Sequence, residues 1–300
     1  MRVLCFGSLN IDYTYSVPHF VARGETLSAS ARHIFCGGKG LNQSVALARA
    51  GLPVSLAGSI GEDGCFLLQA LAGSGVDTRH VRVLPDVPTG HAIIQNDAGG
   101  DNCILVFGGA NHHTDLAQAR EVLACFGEGD VLCLQNEINA LGDIIRLAKA
   151  RGMRVVLTPA PMSQEIFSLP LELIDQLFCN EVEAGVLLRG EKDVLADPPA
   201  AAQALRARYG FGAVALTLGA EGSVYADGEQ TLRQAACPAE VVDTTGAGDT
   251  FAGFFLAAKL EGKTPQEALL LGSAAASIAI SRPGASPSIP TRAEVEQSLR

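Results

Sequence analysis

Apolar positions follow two rhythms along the chain. Arg2–Phe6, Val54–Gly58, Val131–Gln135, Arg154–Thr158, Gln176–Phe178 and Ala213–Leu218 are short, nearly continuous apolar runs, the pattern of strands buried on both faces. Leu41–Ala50, Cys65–Leu71, Ile138–Arg151 and Pro199–Tyr209 instead carry helical patterns, the first ended by Gly51 and Pro53. Alanine-rich Ala247–Leu260 and Pro265–Ile280 predict two more helices, and a last one is expected after Pro290. Such alternation predicts an α/β fold, a mainly parallel sheet covered by helices on both faces.

Residues 11–35 and 88–108 break the rhythm. They alternate polar and apolar residues without helical periodicity. Ile93, Ile104 and Val106 fit strands, and Asn96–Asn102 reads as a turn-rich connection. A small antiparallel sheet inserted into the main domain is expected. Its free face makes it a lid over a site, a dimer contact or a decorated edge. With no internal repeat and no low-complexity linker, residues 1–300 are expected to form one domain carrying this insertion.

Composition narrows the function classes. The chain is 48% hydrophobic and 18% charged, enough for a sizeable core and too little charge for a disordered chain. A net charge of −10 disfavours nucleic acid and anionic membranes as partners. It leaves room for an anionic ligand, because backbone N–H groups can hold phosphate whatever the net charge. The eight cysteines form no CxxC pair and are expected to be buried, reduced thiols of a cytoplasmic protein. The six histidines show no metal-site spacing, so no structural zinc is expected. The opening MRVLCFGSLNID reads as a first strand rather than a secretion signal, and no apolar stretch approaches a membrane span.

Five short strings carry candidate chemistry. In Asp243–Phe251 a glycine-rich turn runs into an apolar helix, so N–H groups and the helix dipole can face an anion. Asp249, in the first helical turn, is poised to take a proton from an attacking hydroxyl; an ordinary capped helix would also place an aspartate there. Cys36–Gln43 is a second glycine-rich turn opening a helix, but not a Walker A loop. Gly38 and Gly40 permit close approach to a polyhydroxyl ligand, and Asn42 can donate and accept; a tight strand–helix connection reads equally well. Asn10 and Asp12 share a face beyond the first strand, where open α/β sheets bind ligands, although a polar turn would look the same. Asn180 and Glu183, three apart on a helix, can organise water around Mg²⁺ or simply cap the helix. Thr217–Gly222 reads alone only as a loop at a sheet edge.

Together, these strings resemble the ribokinase family of sugar kinases within the PfkB superfamily. GGKGLNQ near residue 40 and DTTGAGDTF near residue 245 carry the resemblance, supported by Gly24–Thr26, Thr158–Pro161 and Gly284–Pro290. The resemblance implies a ribokinase-like three-layer α/β fold with a β-sheet lid, often shared across a homodimer. It implies transfer of the γ-phosphoryl group of MgATP to a sugar hydroxyl, O5 in ribose. Asp249 matches the family's base, and Gly246, Ala247 and Gly248 its anion hole. Asn10, Asp12, Gly38, Lys39, Gly40, Asn42 and Glu137 match its sugar-site positions. Asn180, Thr217, Leu218, Gly219, Ala220, Glu221, Gly222, Gly248 and Ser273 fall at its nucleotide site, with Glu183 holding Mg²⁺ through water. Asp243, Thr245, Ala279, Arg282, Gly284 and Ser288 match its activating K⁺ site.

Three positions depart from the family pattern: Pro283 in the cation loop, Ser273 beside the expected adenine, and Thr158 where asparagine is frequent. Rival readings are a kinase for deoxyribose, fructose or a nucleoside, and a sugar sensor without catalysis. The lysine of the Gly38–Lys39–Gly40 turn speaks against nucleoside kinases, and the intact Asp249 against a sensor. A dinucleotide oxidoreductase lacks support, since GSLNID replaces GxGxxG after the first strand.

Overall fold

Alternate residues of the first strand enter two separate cores, Val3 and Cys5 on one side and Leu4 and Phe6 on the other. That is the signature of a strand at the centre of a three-layer sandwich. The computed structural model describes residues 1–97, 99, 101–191 and 193–300. Its strands are β1 Val3–Phe6, β2 Asn10–Ser16, β3 Ala31–Gly37, β4 Val54–Gly61, β5 Asp77–Leu84, β6 Gly90–Asn96, β7 Asn102–Phe107, β8 Val131–Gln135, β9 Arg154–Thr158, β10 Gln176–Asn180, β11 Ala213–Thr217, β12 Ser223–Ala226 and β13 Thr231–Gln234. Its helices are α1 Lys39–Arg49, α2 Cys65–Gly73, α3 Leu116–Ala124, α4 Leu141–Ala150, α5 Glu181–Leu187, α6 Pro198–Tyr209, α7 Ala247–Leu260, α8 Pro265–Ile280 and α9 Arg292–Ser298.

The large sheet runs β13-β12-β11-β10-β9-β8-β1-β4-β5. From β11 to β5 all neighbours are parallel, while β12 and β13 add an antiparallel edge. Strand order reverses around β1, which lies between β8 and β4. Such a switch point opens a crevice at the carboxyl ends of the strands. Helices α1, α2, α7, α8 and α9 supply the core on one face; α3, α4, α5 and α6 supply the other. No helix among the described residues is long and apolar enough to cross a membrane.

The second sheet, ordered β3-β2-β6-β7, forms from the two regions that break the helical rhythm. The expectation of an antiparallel sheet holds for β2–β3 and β6–β7, but the central pair β2–β6 is parallel. Each of β2 and β6 follows a strand of the parallel sheet, β1 and β5, and so leaves it from the same end. The two therefore run side by side in one direction. Of the expected Asn96–Asn102 turn, Ala98 and Gly100 lie outside the described residues.

Several elements depart from the sequence pattern. Strand β5 carries Asp77, Arg79, His80 and Arg82 and lacks a continuous apolar run; as an edge strand it leaves charge facing water. Helix α4 begins only at Leu141, because Ala140 ahead of it is left-handed at φ 60°. The cysteines are all free, but only Cys5, Cys133 and Cys179 are buried; Cys65, Cys103 and Cys125 are exposed, correcting the expectation of buried thiols. Apolar flanks do not bury a thiol when its own side chain points outward from a helix or an edge strand.

Candidate active site

The first turn of α1 is pressed against the end of β1. A Cβ at Gly40 would sit 2.6 Å from the backbone of Gly7 and Ser8, and one at Gly38 would sit 2.8 Å from the Ser8 carbonyl oxygen. Gly38 also has φ +91°, so only glycine fits without strain. No side chain at the N-cap position closes this helix. Glu137, arriving from the end of β8, does so instead: its Oε2 accepts from the Lys39 N–H at 2.9 Å and from the Ser8 hydroxyl, while Ser8 Oγ accepts from the Gly40 N–H at 3.3 Å. Glu137, a sequence-expected sugar ligand, is thus also the cap of the helix that bears the turn expected to meet the sugar.

Asn10 and Asp12 lie on one face of β2, both buried. Asn10 Oδ1 accepts from Asn111 Nδ2 at 2.7 Å, and Asn111 Oδ1 accepts from the Leu9 N–H at 3.0 Å, so the orientation of Asn10 is fixed. Asp12 has no side-chain hydrogen bond among the described residues. Burial, reinforced by the negative charge of Glu137 and opposed by Lys39, pushes its carboxyl up to about 7. Lys39 is raised above its ordinary range by Asp249 first, against the opposing effect of burial, with Glu137, Glu183 and Asp12 adding to the rise.

Asp249 sits in the first turn of α7, 5% exposed. Both of its oxygens are held from α1: Asn42 Nδ2 donates to Oδ2 at 3.1 Å and Gln43 Nε2 to Oδ1 at 3.0 Å. The helices can approach this closely because α7 carries Gly253 where a Cβ would collide with Ala46 of α1. Gly246, left-handed at φ +76°, turns the chain into α7. The Gly246 and Gly248 N–H groups have no protein acceptor among the described residues, and the Ala247 N–H has only a long bond to Thr244 O at 3.3 Å. A buried carboxylate beside free N–H groups at a helix start can accept a proton and hold an anion side by side.

Two joined cavities reach this turn. One, of about 450 Å³, is lined by Lys39, Asn180, Glu183, Gly246, Gly248 and Asp249. The other, of about 530 Å³ and largely apolar, is lined by Gly219, Ala220, Gly222, Ser273, Ala276 and Ile280; Thr217 and Phe251 border both. Of the residues expected there, Leu218 is packed in the core and Glu221 points to solvent. A depression of about 680 Å³ on the outer side of α5, around Phe167 and Arg189, shares none of these groups. Asn180 and Glu183 form a full capping box: Asn180 Oδ1 accepts from the Glu183 N–H at 2.8 Å, and Glu183 Oε2 from the Asn180 N–H at 3.1 Å. Burial raises the Glu183 carboxyl above its usual range.

Among the described residues no three His, Cys, Asp or Glu side chains converge on a point that could hold a metal. A divalent ion here would rest on the single carboxylate of Glu183 together with water and phosphate oxygens, a donor set that suits Mg²⁺. The expected cation positions are lashed together by Asp243, whose Oδ1 accepts from the Thr245 N–H and Oδ2 from the Gly284 N–H, both at 2.9 Å. Ala279 O accepts from the Arg282 N–H at 3.1 Å, and Ser288 Oγ donates to Ala285 O at 2.7 Å beside Gly246. The Arg282 guanidinium is turned away to Glu294, so only its backbone faces this loop. Oxygen donors with one carboxylate suit a monovalent cation, and the Asp243 bond to the Gly284 N–H is made with Pro283 beside it.

The sequence strings alone leave Ser8, Asn111, Gln135 and the bonding of Gln43 without a role. Gln135 offered one signal, a polar residue at the carboxyl end of an apolar strand; Asn111 offered none.

The sequence profile of the pfkB family carbohydrate kinases matches residues 1–292. A ribokinase from Haemophilus influenzae is 39% identical, with 98% of this chain and 96% of that protein aligned. The crystal structure of ribokinase from Cryptococcus neoformans var. grubii in complex with ADP superposes with a TM-score of 0.89 at 34% identity, covering 99% of each chain. The structure of Arabidopsis thaliana ribokinase complexed with ribose and ATP gives a TM-score of 0.85 at 33% identity, covering 100% of this chain and 98% of that one. With its fold, its glycine turns and this likeness along its whole length, the chain belongs to the pfkB family of carbohydrate kinases.

Proposed function

We propose that this protein transfers the γ-phosphoryl group of ATP to O5 of D-ribose. The observation that carries the reading is the bond from Asn42 to Asp249. It ties the turn expected to bind sugar to the carboxylate that opens onto the free N–H groups of α7. The names of the relatives point the same way: ribokinases, one of them seen with ribose and ATP.

In this reading Asp12 and Asn10 take sugar hydroxyls, and the buried, unpartnered Oδ1 of Asn42 accepts another. Backbone at Gly38, Lys39 and Gly40 lets the sugar lie close, with Glu137 bordering it. Asp249 accepts the proton of the O5 hydroxyl as that oxygen attacks the γ-phosphorus. The bond from phosphorus to the bridging oxygen breaks and ADP leaves. Charge on the transferred group is met by the N–H groups of Gly246, Ala247 and Gly248 and by the Lys39 ammonium. Ser273 and the small residues Gly219, Ala220 and Gly222 leave room for the base, with Asn180 and Thr217 toward the phosphates. Mg²⁺, held through water by Glu183, supplies charge neutralisation of the phosphates when bound. The oxygens around Asp243, Thr245, Ala279, Arg282, Gly284 and Ser288 would hold K⁺, whose charge would steady the adjoining Gly246 turn.

The chain forms one domain in which the small sheet acts as the lid of this site. Strand β7 leaves Leu105 68% exposed, with Ile104, Val106 and Phe107 also uncovered on an unpaired edge. Such an edge favours pairing with a second copy. Sedimentation velocity is expected to give a dimer that L105K reduces to monomers; a wild-type monomer at all concentrations would remove this contact.

The reaction is tested by ADP release with MgATP over D-ribose, 2-deoxyribose, fructose and a nucleoside, in K⁺ and in tetramethylammonium. Selective turnover of ribose, several-fold faster in K⁺, is expected. Preference for another sugar would move the substrate. Silence over the panel in a folded protein that still binds ATP would overturn ribose as the substrate and point to an untested sugar or to the sensor reading, and equal rates in the two salts would remove the cation site.

A further inference from the structure

Behind Asp249 runs a chain of buried amides, neither of which is itself an expected ligand position. Gln43, 4% exposed, donates through Nε2 both to Asp249 Oδ1 at 3.0 Å and to Thr158 Oγ1 at 3.1 Å. Its Oε1 accepts from Nε2 of Gln135 at 2.7 Å. Gln135, fully buried at the end of β8, keeps its own Oε1 without a partner among the described residues, facing Gly7 where any Cβ would collide with it. All three hydrogen-bonding positions of Gln43 that matter are therefore used, and in one sense only. An orphaned buried carbonyl is a penalty that native proteins rarely carry without a use.

We infer that Gln135 and Gln43 are positioning residues of the phosphoryl transfer, a buried relay that fixes which atom of Gln43 meets Asp249. An amide can turn over and exchange its oxygen for its nitrogen with almost no change of shape. Turned over, Gln43 would set its carbonyl oxygen against the Asp249 carboxylate. Gln135 donates to the far end and so selects the donor-forward orientation; Thr158 takes the second hydrogen and completes it. The two N–H donors from Asn42 and Gln43 hold the carboxylate in one rotamer, each meeting one of its oxygens. Thr158 thereby has a place in the arrangement. The inference rests on Asp249 being the base.

The test compares two near-isosteric changes at Gln135. Gln135→Met removes the donor but leaves Gln43 free to be oriented by Asp249 alone; kcat is expected to fall several-fold at every pH. Gln135→Glu keeps the volume. Protonated, its carboxyl still donates to Gln43. Ionised, it can only accept, and turns the Gln43 amide over. Its kcat defect relative to Gln135→Met is therefore expected to deepen at least tenfold between about pH 6 and pH 9. Lys39, Asp12, Glu137, Glu183 and Asp249 are the mutually interacting charged groups of this site; Asp12, raised to about 7, titrates within the same window, and all five are common to both variants, so the comparison between them cancels their effect. Equal defects at all pH values would overturn the relay. If Gln135→Glu does not fold, Gln43→Met decides: kcat down about tenfold to a hundredfold with the KM for ribose within threefold of wild type supports it, and an unchanged kcat or a loss confined to KM overturns it. Activity retained in Asp249→Asn would sink the base assignment instead, a separate outcome.

Discussion

Asp249→Asn is expected to lower kcat for ribose by roughly 10³-fold or more while leaving ATP binding intact. Two effects combine. The amide cannot take the proton of the sugar hydroxyl at neutral pH. Its NH₂ group also has to face either Asn42 Nδ2 or Gln43 Nε2, both of which donate to the native carboxylate. A donor against a donor forces one of these amides to turn or separate, so some loss of melting temperature is expected as well. Single-turnover ADP formation, with nucleotide affinity measured separately by calorimetry, checks both parts. A variant turning over within tenfold of wild type would remove Asp249 as the base.

Asp12→Asn is expected to cost about tenfold to a hundredfold in ribose affinity at pH 8, the range for losing hydrogen bonds to a charged acceptor. At pH 6 the difference should shrink. Asp12 titrates near 7 in the free protein, so most of it is then neutral. Wild-type ribose affinity is accordingly expected to rise about tenfold from pH 6 to pH 8, and the variant to stay flat. Stability has the opposite sense. A carboxyl raised by burial favours the fold fully below its ordinary pKa, and that advantage is lost as pH rises through about 7. Asp12→Asn should thus melt above wild type at pH 8, while at pH 4 the gain largely vanishes. Affinity and melting measured on the same two proteins at these pH values check the prediction. A pH-independent wild-type affinity would mean that Asp12 is already ionised.

The fold was legible where structure is set by local pattern. The apolar runs marked β1, β8, β9 and β11 because strands covered on both faces have no polar side to show, and α7 and α8 begin and end where the sequence places them. Strand β5 was not legible, since an edge strand with charged residues looks like a surface segment. The parallel pairing of β2 with β6 depends on where two distant segments leave the main sheet, and no short window of sequence contains that. The same division runs through the site. The glycines of Gly38–Gly40 and Gly246–Gly248 mark turns whose geometry is local. The Asn111 bond to Asn10 and the Gln135 bond to Gln43 join residues far apart in the chain, and a lone Asn or Gln carries no periodic signal.

The contact of Gly253 with Ala46 joins the helix of the proposed proton acceptor to the helix whose first turn is expected to cradle the sugar. Those two parts of the reaction therefore belong to one rigid unit before any ligand arrives. Their relative translational and rotational freedom is given up when the chain folds, not at each turnover, and preorganisation of this kind can account for several orders of magnitude in rate. In its proposed role as a lid, the small sheet would then have to govern only entry, exit and exclusion of water, without bringing base and sugar turn into register.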